Sequence, residues 1–277
     1  MRVLVQQVAK GHPSHDSFER SEYWFWERGY EVIRFSYEEL NGGKFDEMLI
    51  HEADSTIVRA GVGTVLLAIQ RAGRTAPNIV DLPQDLWPYA SRRIWESTLG
   101  EFRREAISSE FDPAIHVKPL VHQKLFTGLV VAKFRDLIPT AHLGDDVQIL
   151  CQEALSFESE WRSYILRDRI LQVCCYKGNP LLFPDPNTML QSIPAFRERP
   201  IAFSLDWAVT ASGATVLVEV NDGFSLGNYG LPGHLYTAMV EARWRQLMGL
   251  PDNLVGETLL PDTDEIQKEN NNGDIAR

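Results

Sequence analysis

Two acidic side chains and an amide, Asp206, Glu219 and Asn221, are spaced in a way that suits metal chemistry. Residues 201–222 read IAFSLDWAVTASGATVLVEVND, two β-rich runs flanking the turn-forming ASGA. A hairpin centred between Ser212 and Gly213 sets Asp206 opposite Glu219, and strand alternation puts Asn221 on the face of Glu219. Directly opposed carboxylates lie about 5 Å apart at Cβ and repel. An oxygen-coordinated divalent cation offsets that repulsion, and Asp, Glu and Asn suit magnesium when phosphates fill its remaining positions. The plain alternative is a solvated face with screened charges. Against it, the neighbours on the Asp206 face, Ala202, Ser204 and Ala208, are small and leave room for a ligand. Phe203, Leu205, Trp207 and Val209 make the core face of the first strand; Val216, Val218 and Val220 make that of the second. Removing either carboxylate relieves repulsion on this reading, so the ligand-free chain should lose no stability.

Other residues could handle anions. Lys118 shares one side of a strand-like run, residues 114–120, with His116 and Ala114; an enclosed ammonium suits a phosphate, and a surface lysine is the alternative. Lys124, Thr127 and Gly128 follow in a glycine-containing loop. Arg162 comes two residues after Glu160, so both point to one side of a strand, and Arg162 could pair with Glu160 or reach a phosphate. Arg59 ends a strand just before a Gly-x-Gly entry to a helix, where a substrate carboxylate could dock on the amides of the first turn, although a lone arginine at a strand end more often forms a structural ion pair. Arg92 and Arg93 are expected on a helix surface. The three glycines of DGFSLGNYG, immediately after Asn221, suit a loop that shapes an acceptor pocket.

The elements that must position these groups begin with strands at residues 2–6, 30–35, 56–59 and 78–82, alternating with helices at 15–28 and 64–72. That alternation predicts a small α/β domain with parallel strands over residues 1–85. An amphipathic helix is expected at 91–104. Strands follow at 114–120, 127–133, 147–154, 161–166, 171–177, 201–209 and 215–221, and a last helix at 235–248 stops at Gly249 and Pro251. Residues 261–277 lack aromatics and are expected to be a disordered acidic tail.

With 277 residues, 44% hydrophobic and 23% charged, the chain has an ordinary globular composition. No apolar run nears the ~20 residues that span a bilayer, and the start shows no secretory signal pattern, so a cytoplasmic address is expected. Of the net charge of −11, seven acids against Lys268 and Arg277 place −5 in residues 252–277, leaving −6 elsewhere. Neither part offers the basic stripe that long nucleic acid requires. Cys151, Cys174 and Cys175 lack metal-ligand spacing and read as buried small hydrophobes.

An acid followed on the next strand by Glu-x-Asn, thirteen residues later, resembles the metal signature of the ATP-grasp superfamily. Other landmarks stand in that superfamily's order. HVKPL resembles the strand whose lysine contacts nucleotide phosphates, here Lys118. HQKLFTGLVV resembles the loop over the phosphates, with Lys124, Thr127 and Gly128. QEALSFESEW resembles the adenine hinge, with Glu153 at the exocyclic amine, Ala154 and Leu155 lending backbone, and Glu160 at the ribose hydroxyls. EWRSY, VEVNDGFSLGNYG and EARW are similar to a compact clade named for two arginines and a lysine. The likeness is best over residues 114–245.

The resemblance implies an ATP-grasp fold of α+β and α/β type: a pre-grasp-like α/β domain at 1–85 and an ATP-grasp domain at 86–260, its two lobes enclosing ATP. It implies magnesium on Asp206, Glu219 and Asn221, and a carboxylate–amine or carboxylate–nucleophile ligase working through an acyl phosphate. The partners would be a small-molecule or peptide carboxylate and a nucleophile. A phosphotransferase or a non-catalytic nucleotide-binding regulator is the alternative. One departure stands out: where peptide-ligase-like members carry an arginine two residues before the metal aspartate, this chain has Ser204, and Arg162, Arg197 or Arg199 would take that role.

Overall fold

Three short apolar runs near the N-terminus become β1 (Arg2–Gln6), β2 (Glu31–Phe35) and β3 (Thr56–Arg59), a parallel sheet of order β2-β1-β3. This is seen in the computed structural model, which describes residues 1–120 and 125–253. Lys124 and the expected tail at 261–277 lie outside the described residues. The sheet is crossed by α1 (His15–Glu27), by the short α2 (Tyr37–Asn41) and α3 (Asp46–His51), and by α4 (Val62–Arg71) after β3. Parallel strands need such crossovers, and the alternation in the sequence supplies them.

Residues 78–82 do not form the expected fourth strand. Pro77 and Pro83 bracket them and lack the N–H groups that a ladder needs. The segment runs along another sheet instead, its Asp81 carbonyl accepting from the Val220 amide at 2.6 Å.

The expected helix at 91–104 is also corrected. Its first part is β4 (Ile94–Thr98), and α5 (Leu99–Ser108) begins only after it. The boundary is a capping box: the Thr98 hydroxyl accepts from the Glu101 amide at 3.1 Å, and the Glu101 carboxylate accepts from the Thr98 amide at 3.3 Å. β4 joins β5 (Ile115–Pro119), β6 (Leu129–Val131) and β7 (Gln148–Glu153) in an antiparallel sheet of order β4-β7-β5-β6. Phe102, Val117, Val131, Ile149 and Cys151 fill its covered face.

A third sheet, order β11-β10-β8-β9, is antiparallel throughout: β8 (Phe157–Leu166), β9 (Arg169–Gly178), β10 (Ala202–Thr210) and β11 (Thr215–Asp222). Between β9 and β10 lies a helix absent from the sequence reading, α6 (Pro186–Ala195). Its two prolines mask it, one in the first turn and Pro194 at the end, but Asp185 caps it by accepting from the Thr188 amide at 2.8 Å. One face of the third sheet packs Phe203, Leu205 and Trp207 with Leu217 and Val220.

The last helix, α7 (Gly233–Met248), is expected from the sequence, as is its glycine stop: Gly249 takes φ +70°. It is buried on nearly all sides because it lies between the parallel sheet and the third sheet. Its polar residues fasten both. The Trp244 indole donates to the Thr56 carbonyl at 2.7 Å, and Arg243 holds Asp222 through two bonds of 2.7 and 2.6 Å. The Glu241 carboxylate, 2% exposed, accepts from Arg28 at 2.8 Å and from the Tyr30 hydroxyl at 2.6 Å. Glu241→Ala strands both donors in an apolar layer and should cost about 3 kcal/mol. The midpoint of urea unfolding checks this, and a fall under about 1 kcal/mol would mean that water takes the carboxylate's place.

Candidate active site

The pairing expected across the hairpin is present: Asp206 is opposite Glu219, and Ser204 is opposite Asn221. It arises differently from the expectation. Near the turn Val209 faces Thr215 and Trp207 faces Leu217, so the hairpin centres on Ser212, and a bulge at Val218 shifts the register back before Glu219. The bulge also alters the faces of β11. Val216 and Val220 are buried as expected, whereas Leu217 takes a place in the core and the bulged Val218 is only partly buried.

The bulge has a holder. Arg92 donates to the carbonyls of Leu217 at 2.7 Å and Val218 at 3.3 Å, and to Ala90 at 3.0 Å. Its other edge holds the Gln152 side-chain oxygen on β7 at 3.0 and 2.7 Å. Arg92 is therefore a clamp between two sheets, not the surface residue expected. Burial pulls its pKa down to about 10, so it stays charged at neutrality. The Gln152 amide in turn donates to His116 Nδ1 at 2.8 Å, which places the ring proton on Nε2. Burial, with Lys118 and Arg92 nearby, pushes His116 down to about 4, so the ring is neutral. Its Nε2 packs on Gly128, where a Cβ would lie 2.6 Å away. Glycine is required there by that contact.

Lys118, Thr127, Gly128 and Glu219 line one cleft of about 410 Å³ between the second and third sheets, together with His116 and Asp81. Asp81 was not singled out from the sequence, since it sits in a strand-like run ahead of a proline. It accepts from Lys118 Nζ at 2.9 Å.

The other candidates form a second group on the same face of the third sheet. Asp206, 3% exposed, takes two 2.7 Å bonds from Arg162 Nε and Nη2. The remaining Arg162 nitrogen, Nη1, donates to the Gly227 carbonyl at 3.2 Å, and the guanidinium lies 4.7 Å from the Tyr229 ring. Glu160 is not the partner of Arg162; it pairs with Lys177 and accepts from the Tyr176 hydroxyl at 3.2 Å. Arg197 and Arg199 pair with Asp85 and Asp168, outside both groups. Ser204 is fully buried, and its hydroxyl has no partner among the described residues. At the end of β7 the Glu153 carboxylate accepts from the Arg93 amide at 3.1 Å and the Ala154 amide donates to Ala114 at 2.7 Å, with Leu155 partly buried beside them.

Electrostatically this face carries surplus negative charge. Burial pushes Asp206 upward, and the Arg162 guanidinium, through its two bonds and its charge, opposes that shift. Burial and then Asp206 push Glu219 up, and Lys118 only partly offsets them. Asn221 Nδ2 donates to Glu219 at 3.2 Å, leaving its amide oxygen as an acceptor. Three carboxylates, Glu160, Asp206 and Glu219, share the face with Arg162. An oxygen-rich, buried, under-neutralised set of this kind fits a divalent cation bridging to phosphate.

The sequence matches the family model of the ATP-grasp domain, R2K clade family 2, over residues 89–239. Among curated proteins none matches. Solved structures share the architecture at low identity. The D-alanine–D-alanine ligase from Bacillus anthracis is 12% identical at a TM-score of 0.51, covering 90% of this chain and 98% of that one. D-cycloserine synthetase DcsG is 9% identical at 0.52, with 90% and 98% covered. N5-carboxyaminoimidazole synthetase from Staphylococcus aureus is 10% identical at 0.50, with 91% and 72% covered. The fold is the ATP-grasp fold. The chain belongs to the ATP-grasp family, R2K clade family 2. Among the described residues no helix is long and apolar enough to cross a membrane.

The two central carboxylates should respond oppositely to neutralisation. Asp206→Asn removes one partner of a buried ion pair and should cost the ligand-free protein about 3 kcal/mol; the sequence alone suggested no loss. Glu219→Gln removes a carboxylate whose folded pKa is raised. Such a group is most costly above that pKa and becomes harmless as acid protonates it. Glu219→Gln should therefore raise the melting temperature at pH 7, with the gain shrinking as pH falls through the upper carboxylate range. Melting curves of both variants between pH 4 and 8 test this, and equal shifts in the two would refute the asymmetry.

Proposed function

We propose that the chain joins a carboxylate to an amine or another nucleophile, using ATP and magnesium and passing through an acyl phosphate with release of ADP and phosphate. The observation that carries this reading is the cleft in which Lys118, Thr127 and Gly128 of one sheet face Glu219 of another, next to the buried Asp206–Arg162 pair. Residues 86–260 would form the ATP-grasp part and residues 1–85 the pre-grasp part. Magnesium, held by Asp206, Glu219 and Asn221, would neutralise charge on the phosphate oxygens.

The chain's own groups supply the rest. Lys118 is the cation free to exchange its partner: an arriving phosphate competes with Asp81 for an ammonium that is largely enclosed. Gly128, pressed on the neutral His116 ring, lets the loop backbone come close to the phosphates without adding positive charge. Glu153, Ala154 and Leu155 would hold the adenine and Glu160 the ribose; Lys124 would add a further phosphate contact. Arg162, fixed by Asp206 and Gly227, has N–H groups left on Nη1 and Nη2 to steady the transferring phosphoryl group. This supports its taking the role for which Ser204 is unsuited.

A substrate carboxylate oxygen attacks the γ-phosphorus, the bond to the β,γ-bridging oxygen breaks, and ADP leaves. The nucleophile then displaces phosphate from the acyl carbon. Incubation with ATP, magnesium and a carboxylate pool should give ADP and phosphate, and hydroxylamine should capture the intermediate as a hydroxamate. Lys118→Ala should lower hydroxamate yield by roughly 100-fold or more, because charge stabilisation dominates phosphoryl transfer. A phosphorylated product without free phosphate would indicate a phosphotransferase, and AMP with pyrophosphate would exclude the acyl-phosphate route.

A further inference from the structure

A second cavity, about 340 Å³, opens between the parallel sheet and the loop after β11. Its wall contains Arg59, Ser17 and Arg20 on one side, and Ser225, Gly227 and Tyr229 on the other. None of its lining residues is shared with the cleft of Lys118 and Glu219. The volume is at the small end for ligand pockets and suits a molecule of amino-acid or dipeptide size.

Arg59 is the unusual member. It is 2% exposed, yet among the described residues the ion pair expected of a strand-end arginine is not made. One nitrogen, Nη1, donates to the Ala60 carbonyl at 3.1 Å and another, Nη2, to the Ser17 hydroxyl at 3.0 Å, both neutral acceptors. Its Nε is buried and has no partner among the described residues. The guanidinium is flanked by the Phe18 and Tyr236 rings, at 4.8 and 5.5 Å.

The next residues start α4, whose N-cap is Gly61; the Gly61 amide donates to the Gln6 side-chain oxygen at 3.0 Å, glycine offers no capping side chain of its own, and the first turn holds no acidic residue. The amides of a first turn have no partner inside the helix, and the dipole makes that end positive. A buried guanidinium therefore adjoins a positive helix end with no anion to balance either. Asp16 is the one carboxylate in the cavity wall, and it is exposed and lies beside His15. Such an arrangement is costly unless a ligand supplies the negative charge.

We propose that this cavity binds a carboxylate of the substrate through Arg59, beside the N-terminal end of α4 at Gly61. Because the two cavities share no residue, this carboxylate is not the one that is phosphorylated; it anchors an amino acid or short peptide whose reacting group extends past Gly227 toward Arg162. The inference rests on the ligase reading and adds the class of substrate.

The test uses the full chain without nucleotide and follows the Nε–H signal of Arg59 and the amide signals of Gly61 and Gly63 by NMR. The probes are glycine and alanylalanine, the same two compounds as C-terminal amides, and inorganic phosphate. The free acids should shift these signals and the amides should not. Arg59→Lys should weaken binding of the acids at least tenfold while leaving magnesium-ATP affinity unchanged. Gly61→Asp guards against misfolding: a cap carboxylate beside Arg59 should raise the melting temperature and abolish binding of the acids. Amides binding as well as acids, no shift with any probe, phosphate binding tighter than either acid, or undiminished binding to Gly61→Asp would each overturn the proposal. ADP formation is scored on the same samples. Anion binding without turnover counts against the ligase reading alone, whereas nucleotide binding without anion binding counts against this inference alone.

Discussion

The opposition of Asp206 and Glu219 across β10 and β11 is the constraint around which the site is arranged. Two carboxylates facing each other in a buried position raise each other's energy, and neither can move apart without breaking the ladder. The chain answers only half of this. Arg162, one strand further on, answers Asp206 with a forked pair of bonds, while burial and Asp206 push the Glu219 carboxyl above its ordinary range, with an amide and a nearby ammonium for company. What remains is a fixed, directional deficit of positive charge. In ATP-grasp chemistry such a deficit is useful, because cations arriving with a polyphosphate remove it and bind where the charge of the reaction will develop.

Keeping that deficit in register with the cleft is the work of side chains that bridge the two sheets. Arg92 fixes the bulge at Val218, and the bulge decides whether Glu219 points into the cleft or into the core. The same guanidinium holds Gln152, and Gln152 orients His116. One side chain therefore links the register of the third sheet to the cleft-facing side of the second. A lysine could not do this, since one ammonium lacks the flat fork needed to serve two carbonyls and an amide oxygen together.

Much of this site is legible in the sequence, because its chemistry resides on strands. Alternation shows which residues share a face, so Lys118 with His116 and Glu219 with Asn221 follow from period two alone. The parts that were not legible depend on backbone irregularity. The register next to the turn is one residue away from the expected one, and the bulge cancels that difference at Asp206, so the right pair emerges from an incomplete account of the register. Arg92 and Asp81 escape because their meaning lies in the sheets that they bridge, and charge patterning along the chain carries no trace of that. Residues 78–82 have the composition of a strand but the hydrogen-bonding capacity of a connector, with prolines at both ends. In α6 the prolines concealed a helix. Local propensity lost to position in both cases.

The arrangement of aromatic rings joins the two cavities more closely than their separate linings suggest. Tyr229 stacks on Tyr176 at 4.8 Å, and the Arg162 guanidinium faces the Tyr229 ring. Tyr176 in turn donates to Glu160, while burial, Asp206 and Glu160 hold its hydroxyl in the protonated form. The loop that carries Tyr229 is tied at its base, because Gly223 lies so near Ala202 that a Cβ would fall 2.4 Å from the Ala202 carbonyl oxygen. It is tied again at Ser225, which donates to the Ala60 carbonyl at 2.6 Å beside Arg59. A displacement of Tyr229 would therefore alter the packing of Arg162, and through it the only cation bonded to Asp206 among the described residues. Whatever fills the cavity beside Tyr229 can therefore act on the carboxylate face by two routes that start at this ring, through Arg162 to Asp206 and through Tyr176 to Glu160.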